Sequence, residues 1–275
     1  MWNSELDMLR VIKPFAGKTV TDAEAGDLNC FLRDVLVEVA SENYRQTMYE
    51  VMALEGQQTG LNPPLRANER VMSGLFATAI SRAALRSRTE VRIDRPESAE
   101  SIGEQDGAEA NGRTTNHGRV DYMAWYGTRV IGVELKMAGM NCEEPKLTDH
   151  IVRRWTKAVE QAKTVQDCLR VRQKEDRVRY PNPVSLALMV IVGRRSIVEN
   201  AQFSDGDLKD MQDATTQMLA KLTPRPTFQA IYTFPSEFRT LVPRHKGVEV
   251  QKSGRAVYTP FVSFIAKPAV NSMAG

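Results

Sequence analysis

An uninterrupted apolar run constrains the possible fold of this chain more than any other stretch. Val184–Val192 reads VSLALMVIV, in which Ser185 is the only polar residue. A short run rich in Val, Leu and Ile is typical of a β-strand that is buried on both faces of its sheet. We therefore expect a sheet that has other layers of structure packed on both of its sides.

Helix and strand patterns follow one another along the rest of the chain. Apolar residues spaced three and four apart predict helices, and short β-branched runs bounded by turn residues predict strands. The expected helices cover residues 4–58, 66–86, 149–176 and 207–222, and the expected strands cover 89–93, 119–137, 184–192, 228–234 and 257–266. This order predicts an α/β fold, a mixed β-sheet flanked by helices with a helical N-terminal layer, and leaves α+β as the alternative.

A break near residue 65 divides the chain into two regions. The residues before it, Leu61-Asn62-Pro63-Pro64, end the helical pattern. We therefore expect a helical N-terminal region over residues 1–65 and a main domain over residues 66–275. Within the main domain, residues 95–117 are rich in acids, Gly, Ser and Asn and have hardly any apolar side chains. Their composition predicts a mobile acidic insertion.

The composition excludes several classes of function. No apolar run approaches the roughly 20 residues that cross a bilayer, and the N-terminus lacks the apolar segment of a signal peptide, so we expect no membrane partner. The cysteines, Cys30, Cys142 and Cys168, are odd in number and lack metal-ligand spacing, which indicates a cytoplasmic protein without a zinc site. The histidines are too scattered for a His-based metal centre or a Ser-His pair.

A β-hairpin with charged residues in its strands lies within residues 118–139, GRVDYMAWYGTRVIGVELKMAG. A two-residue turn at Gly127-Thr128 suits type II′ geometry, and counting back from that turn pairs Asp121 with Glu134. A turn centred on Tyr126-Gly127 would instead place Glu134 opposite Arg119. The turn therefore decides which charged side chains face each other.

The first of these registers brings two carboxylates together across the hairpin, with Cβ atoms about 4.5–5.5 Å apart. Like charges in that position repel each other, and burial would increase the repulsion. A divalent cation between Asp121 and Glu134 removes the conflict, and carboxylate oxygens suit Mg²⁺, Mn²⁺ or Ca²⁺. Lys136 shares their face of the sheet and could approach a water or a phosphate near that cation.

A third acid precedes the hairpin, on the helix that begins near residue 66. Glu69 starts an apolar stripe that Met72, Phe76 and Ile80 continue, so its side chain is expected to face inward from the first turn. An acid in the first turn is also stabilised by the helix N-terminus, which is the alternative explanation for this residue.

Together these residues resemble the PD-(D/E)XK nucleases, which have the restriction-endonuclease-like fold. The resemblance rests on Asp121, on Glu134-Leu135-Lys136 in the next strand, and on the upstream helix that carries Glu69. It covers roughly residues 66–234, and Val120 stands where the family has a proline before the first acid. It implies a restriction-endonuclease-like core and hydrolysis of phosphodiester bonds with Mg²⁺ or Mn²⁺, with Glu69 holding a second metal ion or a metal-bound water.

The resemblance assigns roles to the other matching residues as well. Asp121 and Glu134 would bind the metal ion, with the backbone carbonyl of Leu135 as an extra ligand. Lys136 would orient or activate the attacking water, or steady the phosphate charge. Gln161, on the helix after the hairpin, matches a position where such nucleases often place a polar residue facing the site, and a solvated helix edge is the alternative.

Basic residues are concentrated in the second half of the chain. Residues 151–180 contain nine Lys or Arg and four acids, which is compatible with a polyanion partner. A solvated helix face is the alternative. We expect contacts to a nucleic-acid backbone, which give affinity without sequence readout, from Arg153, Arg154, Lys157, Arg194 and Arg195.

These features predict a metal-dependent nuclease, with DNA favoured over RNA and endonuclease activity favoured. No zinc finger or similar module that reads sequence is visible, which favours an enzyme recruited or regulated by something else, such as an effector of an anti-phage defence system or a mobile-element enzyme. The N-terminal helices would form a homo-oligomer or bind a regulatory partner. The alternative from another class is a catalytically inactive member of the same fold that acts as a nucleic-acid-binding or scaffold subunit, and a further alternative is coincidental placement of the charges.

Overall fold

One mixed β-sheet organises the described part of the chain. The structure, a computed structural model, describes residues 8–16, 21–53, 63–66, 68–94, 117–198, 204–236, 240–241 and 255–269. The helices are α1 (Asp22–Ala53), α2 (Glu69–Ala83), α3 (Asp149–Glu175) and α4 (Asp205–Leu219). The strands are β1 (Leu9–Lys13), β2 (Arg86–Asp94), β3 (His117–Tyr126), β4 (Arg129–Asn141), β5 (Val184–Val198), β6 (Phe228–Thr233), β7 (Thr240–Leu241), β8 (Arg255–Tyr258) and β9 (Phe261–Pro268). The predicted acidic insertion lies outside the described residues, apart from its last residue.

Strands β1, β6, β9, β5, β4, β3 and β2 lie side by side in that order. The neighbours β4 and β5 are parallel and α3 connects them, whereas the other neighbouring pairs are antiparallel. Strand β8 pairs with the end of β5, and β7 pairs with β8. The prediction of an α/β fold with a mixed sheet flanked by helices is therefore confirmed. No helix in the described ranges is both long enough and apolar enough to cross a membrane.

Strand β5 is buried on both faces, as its apolar sequence predicts. On one face, Leu188 and Val190 pack in the hydrophobic cluster that contains the inner sides of α1 and α2. On the other face, Met189 and Ile191 pack in the cluster that contains α3. The sheet thus has a helical layer on each side, and β4, the parallel neighbour of β5, lies between the same two layers.

The N-terminal layer contains a strand as well as a helix. Residues 9–13, LRVIK, form β1 and pair antiparallel with β6 at the edge of the sheet, so the prediction of helix from residue 4 is wrong for this segment. Two β-branched residues, Val11 and Ile12, favour the extended conformation once an edge strand is available for pairing. The helix that follows, α1, starts with a capping box in which the Thr21 hydroxyl accepts from the Glu24 amide at 3.2 Å and the Glu24 carboxylate accepts from the Thr21 amide at 2.9 Å.

Two side chains fasten the tip of the β3–β4 hairpin to α1. Arg129 donates from Nε to Oδ2 of Asp27 at 2.6 Å, and its side chain is 11% exposed. The Tyr126 hydroxyl donates to the carboxylate of Asp34. Burial and this hydrogen bond raise the pKa of Tyr126 to about 12, so the phenol remains a donor at physiological pH. The hairpin is therefore held at its tip by the N-terminal helix.

A buried acid joins α1 to α2. The side chain of Glu42 is 2% exposed and accepts hydrogen bonds from Arg45 on its own helix and from Arg82 on α2, the latter at 2.9 Å. Gln46 donates a further bond at 2.7 Å. The bond from Arg45, followed by those from Gln46 and Arg82, lowers the pKa of Glu42 to about 2 against the opposing effect of burial.

We expect low pH to weaken this contact between α1 and α2. Because the folded-state pKa of Glu42 is below its ordinary value of 4.5, its contribution to stability is complete above about pH 4.5 and is lost as the pH falls toward 2. The contribution is at most about 3 kcal/mol, since solvent screens the half-exposed arginines. Urea unfolding of Glu42→Gln should show a flatter pH dependence between these values than the wild type. Glu38→Gln, which removes a more exposed acid 3.6 Å from Arg82, should keep the wild-type dependence, and equal slopes for Glu42→Gln and wild type would contradict the prediction.

On the opposite face of the sheet, α3 lies directly on β4. Its N-cap residue Thr148 accepts a hydrogen bond from the amide of Ile151. Gly132 permits the close approach, because a methyl group at that position would lie 2.8 Å from Cγ1 of Val165. Trp155 is fully buried between α3 and the sheet, and its indole donates to the carbonyl of Pro224 at 2.7 Å.

Candidate active site at a fork between two strands

The hairpin turn decides between the two registers that the sequence allows. Backbone pairs run from Tyr126/Arg129 to Tyr122/Val133, as a two-residue turn requires. Of the two turn residues, only Gly127 has a positive φ, 55°, which agrees with a type II′ turn. The register that aligns Asp121 with Glu134 is therefore the observed one.

Strands β3 and β4 separate immediately beyond the last of these pairs. Strand β3 remains paired with β2 as far as His117, and β4 remains paired with β5 as far as Asn141. Within the described residues, the backbone pairing of β3 with β4 ends at Tyr122. The amide of Leu135 donates to Oδ2 of Asp121 at 2.8 Å, so a side chain takes the place of a backbone acceptor. We call this opening, between Asp121 on β3 and residues 134–136 on β4, the fork.

Three charged side chains meet at the fork. Nζ of Lys136 lies 3.7 Å from Oδ2 of Asp121 and 3.9 Å from Oε2 of Glu134. The same ammonium donates to the carbonyl oxygen of Leu135 at 3.1 Å. The groups that the resemblance singles out therefore lie together: the two carboxylates and the Leu135 carbonyl are all close to the ammonium of Lys136.

Burial differs sharply among these side chains. That of Glu134 is 1% exposed and that of Lys136 is 11% exposed, whereas that of Asp121 is 38% exposed. Glu134 and Lys136 share the face of β4 that carries Gly132, against which α3 packs. An ion or a substrate would thus reach the cluster past Asp121. The two carboxylates lie near the same ammonium, and a divalent cation between them would relieve their mutual repulsion.

The donor atoms at the fork fit a divalent cation that prefers oxygen ligands. Mg²⁺ is commonly bound by one or two carboxylates and retains several waters, and the fork offers Asp121, Glu134 and the carbonyl of Leu135. Among the residues that the structure describes, no group of three or more His, Cys, Asp or Glu side chains is placed to hold a metal. A cation at the fork would therefore depend on two carboxylates, one carbonyl and solvent.

Glu69 is not grouped with the two acids of the hairpin. It is the first residue of α2, its side chain is 39% exposed, and its carboxylate forms an ion pair with Arg154. Arg154 in turn donates from Nε to the carbonyl of Met137 at 3.0 Å. The side chain of Glu69 is therefore only partly buried, and its carboxylate is held by an arginine of α3. A role for Glu69 toward a second metal ion stays a prediction.

Gln161 occupies the part of α3 that lies over the fork. Val165, one turn further along the helix, contacts Gly132, and α3 runs back along β4, so Gln161 is level with Glu134 and Lys136. The Oε1 atom of Gln161 is buried and accepts no hydrogen bond from the described residues. A buried amide oxygen in this state can accept from a donor that enters the site, in agreement with the polar role predicted for the position.

The basic residues expected to contact nucleic acid fall into two groups. Arg153, Lys157 and Arg194 are exposed, so their cationic groups are available to a phosphate backbone. Arg195 forms an ion pair with Glu143 at 2.8 Å, and Arg154 is engaged by Glu69 as described above. The exposed group is better placed to contact nucleic acid than the paired group.

Sequence reasoning missed the role of Tyr122, the neighbour of Asp121 on β3. Its hydroxyl donates to the carbonyl of Ser73 at 2.9 Å and so fixes β3 to α2 beside the fork. Burial raises the pKa of Tyr122 to about 12, and the negative charges of Asp121 and Glu69 act in the same direction. The alternation of side chains along β3 does place Tyr122 on the opposite face from Asp121, but the hydrogen bond has no sequence signal.

Comparison with known proteins adds no assignment. No family model, no curated protein and no solved structure matches this chain. The proposal that follows therefore draws its support from the fork and from the residue pattern that led to it.

Proposed function

We propose that this chain is a metal-dependent nuclease of the PD-(D/E)XK type, which hydrolyses phosphodiester bonds. The observation that carries the proposal is the convergence of Asp121, Glu134 and the carbonyl of Leu135 around the ammonium of Lys136. A purely stabilising role explains this arrangement poorly, because replacing buried ionic groups with apolar ones is often neutral or stabilising. Two acidic side chains beside the same lysine in the middle of a sheet are more typical of a functional site.

Each side chain at the fork has a task in this proposal. A divalent cation bound by the two carboxylates and the Leu135 carbonyl would lower the pKa of water and neutralise charge that develops on the phosphate. Lys136, whose stem is buried, presents a positioned ammonium that can donate to a phosphate oxygen or orient the attacking water. Gln161 can accept a hydrogen bond from that water through its buried Oε1.

The substrate we propose is nucleic acid, with DNA favoured. Exposed cations flank the fork on two sides: Arg153 and Lys157 lie on α3, and the edge strand β2, the neighbour of β3, carries Arg86, Arg88 and Arg92. Such cations contact phosphates irrespective of base sequence and make affinity depend steeply on salt. The proposed enzyme therefore selects its substrate by backbone and shape rather than by base readout.

The setting of the enzyme is a further part of the proposal. We place it in the cytoplasm, where Cys30, Cys142 and Cys168, none of which forms a disulfide, would stay reduced. Regulation by self-association or by a partner protein at the N-terminal layer, for example in an anti-phage defence system, follows from the lack of a recognisable sequence-reading module.

A second candidate function is a non-catalytic nucleic-acid-binding or scaffold subunit. It is favoured by the charge compensation that the chain already supplies, since Lys136 lies between the two acids of the fork and Arg154 neutralises Glu69. Metal-dependent cleavage separates the two candidates, because a scaffold of this kind hydrolyses no phosphodiester bond.

The test is a pair of measurements on the full chain. Supercoiled plasmid, linear DNA and RNA are incubated with Mg²⁺ or Mn²⁺ and with chelator, and melting temperatures are recorded with the same additions. We expect metal-dependent cleavage of DNA and, at a metal concentration about 100 times Kd, stabilisation by roughly 2.7 kcal/mol. Asp121→Asn should lose both effects because it removes one anionic ligand.

The matched control is Asp167→Asn, which changes an exposed acid on α3 and should behave as the wild type does. Metal-induced stabilisation of equal size in Asp121→Asn would contradict a cation at the fork. Stabilisation without cleavage of any substrate would favour the scaffold.

A further inference from the structure

A buried arginine lies outside the fork and has no role in the proposed chemistry. Arg66 ends a short 3₁₀ turn, Pro64–Arg66, and is 7% exposed. Its Nε and Nη1 atoms are buried and find no hydrogen-bond partner among the described residues. Arginine is almost never buried in this way, because a charge removed from water needs an opposite charge or several acceptors in return.

The guanidinium of a second arginine contacts the backbone of Arg66. Arg194, at the end of β5, donates from Nη2 to the backbone carbonyl of Arg66 at 3.3 Å. Its side chain is exposed and also approaches Gly139 on β4. Burial, followed by the positive charge of Arg194, lowers the pKa of Arg66 to about 9, as expected for a guanidinium removed from water near another cation.

The surrounding described residues supply no anion for the pair. The nearest acid in sequence, Glu69, is engaged by Arg154, and no ion pair links Arg66 or Arg194 to a carboxylate of the described residues. Arg66 also lies two residues before Asn68, the N-cap of α2, and the N-terminus of a helix favours negative charge. The site thus has donors, positive charge and an exposed side, as an anion-binding site requires.

We propose that Arg66 and Arg194 form a binding site for a phosphoryl anion. Two guanidinium groups offer paired N–H donors that match the oxygens of a phosphate. The buried member of the pair keeps its charge fixed in place, and the exposed member admits the ligand. The site lies on the α2 side of the sheet, near the carboxyl ends of β4 and β5, whereas Glu134 and Lys136 lie on the α3 side.

Two sources could supply the phosphoryl group, a free phosphate and the terminal phosphate of a nucleic-acid strand. Gly139, which Arg194 approaches, is three residues beyond Lys136 on β4, about 10 Å along the strand. A nucleic-acid strand that passes the fork could therefore place its terminal phosphate between Arg66 and Arg194. The assignment to a strand end rests on the proposed nuclease function, whereas the phosphate site itself does not.

Inorganic phosphate is the first probe, with chloride at equal ionic strength as the reference. We expect the melting temperature of the full chain to rise by roughly 5 °C at a phosphate concentration about 100 times Kd. Arg66→Met should abolish the rise, and without phosphate it should melt no lower than the wild type, because it removes an uncompensated buried charge. Lys209→Gln, which removes one exposed charge on α4, should retain the rise.

Several outcomes would overturn the proposal: no rise in the wild type, a rise of wild-type size in Arg66→Met, or a phosphate-free melting temperature of Arg66→Met well below that of the wild type, which indicates a structural role. If Arg66→Met fails to fold, the Arg194→Ala variant tests the site instead, because the side chain of Arg194 is exposed and its removal should leave the fold intact. An unchanged phosphate response in Arg194→Ala would overturn the site.

A second measurement separates the two sources. Oligonucleotides with a 5′-phosphate and with a 5′-hydroxyl are compared for binding to Glu134→Gln in the presence of chelator, so that neither is cut. At least tenfold tighter binding of the phosphorylated strand, lost in the double variant with Arg66→Met, supports the strand-end assignment, and equal binding overturns it. Failure of cleavage alone would count against the nuclease proposal and leave the phosphate site standing.

Discussion

Glu134→Gln is expected to abolish metal-dependent cleavage, with a rate loss of roughly 10³-fold, while the protein stays folded. The side chain of Glu134 is 1% exposed, so its charge acts through a medium in which electrostatic interactions are stronger than in water. Glutamine keeps the shape and one oxygen but removes the negative charge that would hold a cation. Cleavage rates with saturating Mg²⁺, measured beside urea unfolding curves, check both halves of the expectation.

The unfolding curve is as informative as the rate. Without metal, the carboxylates of Glu134 and Asp121, both within 4 Å of the Lys136 ammonium, also repel each other, so the neutral variant should be at least as stable as the wild type. Glu160→Gln, on the exposed side of α3, is the matched control and should change neither property. A cleavage rate equal to that of the wild type would show that Glu134 takes no part in catalysis. A loss of stability without loss of rate would assign it a structural role.

Trp155→Ala should lower the free energy of unfolding by about 3–5 kcal/mol. The indole is fully buried between α3 and the sheet, and its N–H bonds the carbonyl of Pro224 at 2.7 Å. Alanine would leave a cavity in the cluster that positions α3 and would leave that carbonyl without its donor. Because a domain is typically stable by only 5–15 kcal/mol, urea unfolding should show a midpoint far below that of the wild type.

Two variants distinguish packing from hydrogen bonding at this position. Trp155→Phe retains most of the ring and should cost only about 1–3 kcal/mol, from the unpaired carbonyl. Trp125→Ala removes a partly exposed indole that lies under Arg86 and bonds the carbonyl of Arg179, and it should cost less than Trp155→Ala. A loss below about 1 kcal/mol for Trp155→Ala would show that α3 is not held by this contact.

Local chemistry explains why the hairpin could be predicted in detail. A glycine followed by threonine between two β-rich runs favours a two-residue turn, and the turn sets the register of each pair that follows. Asp121 and Glu134 were therefore predictable as neighbours, and the ammonium of Lys136 as the group beside them, from the alternation of side chains alone. The buried strand β5 and the helix α3 were predictable for the same kind of reason, periodicity within one element.

Contacts between distant segments could not be predicted in this way. Glu69 and Arg154 are 85 residues apart, and only the packing of α2 and α3 at the same end of the sheet brings them together. Likewise, Arg66 ends a 3₁₀ turn and is part of no helical or strand pattern, so its burial depends on how α1, α2 and β5 are placed around that turn. The helix predicted for the residues of β1 is wrong because five residues are too few to show a strand pattern, and pairing with the edge of β6 decides their conformation.

The attachment of the hairpin tip to α1 has a mechanical consequence for the fork. Asp121 lies five residues before Tyr126, and Glu134 lies five residues after Arg129, so the tip and the two acids are opposite ends of one two-stranded lever about 17 Å long. A displacement of α1 that is transmitted to the hairpin tip through Asp27 and Asp34 would move the carboxylates of Asp121 and Glu134 together and preserve the distance between them. A ligand that binds the N-terminal helix would thus act on the two acids of the proposed cation site together, through strands that β2 and β5 also hold in place.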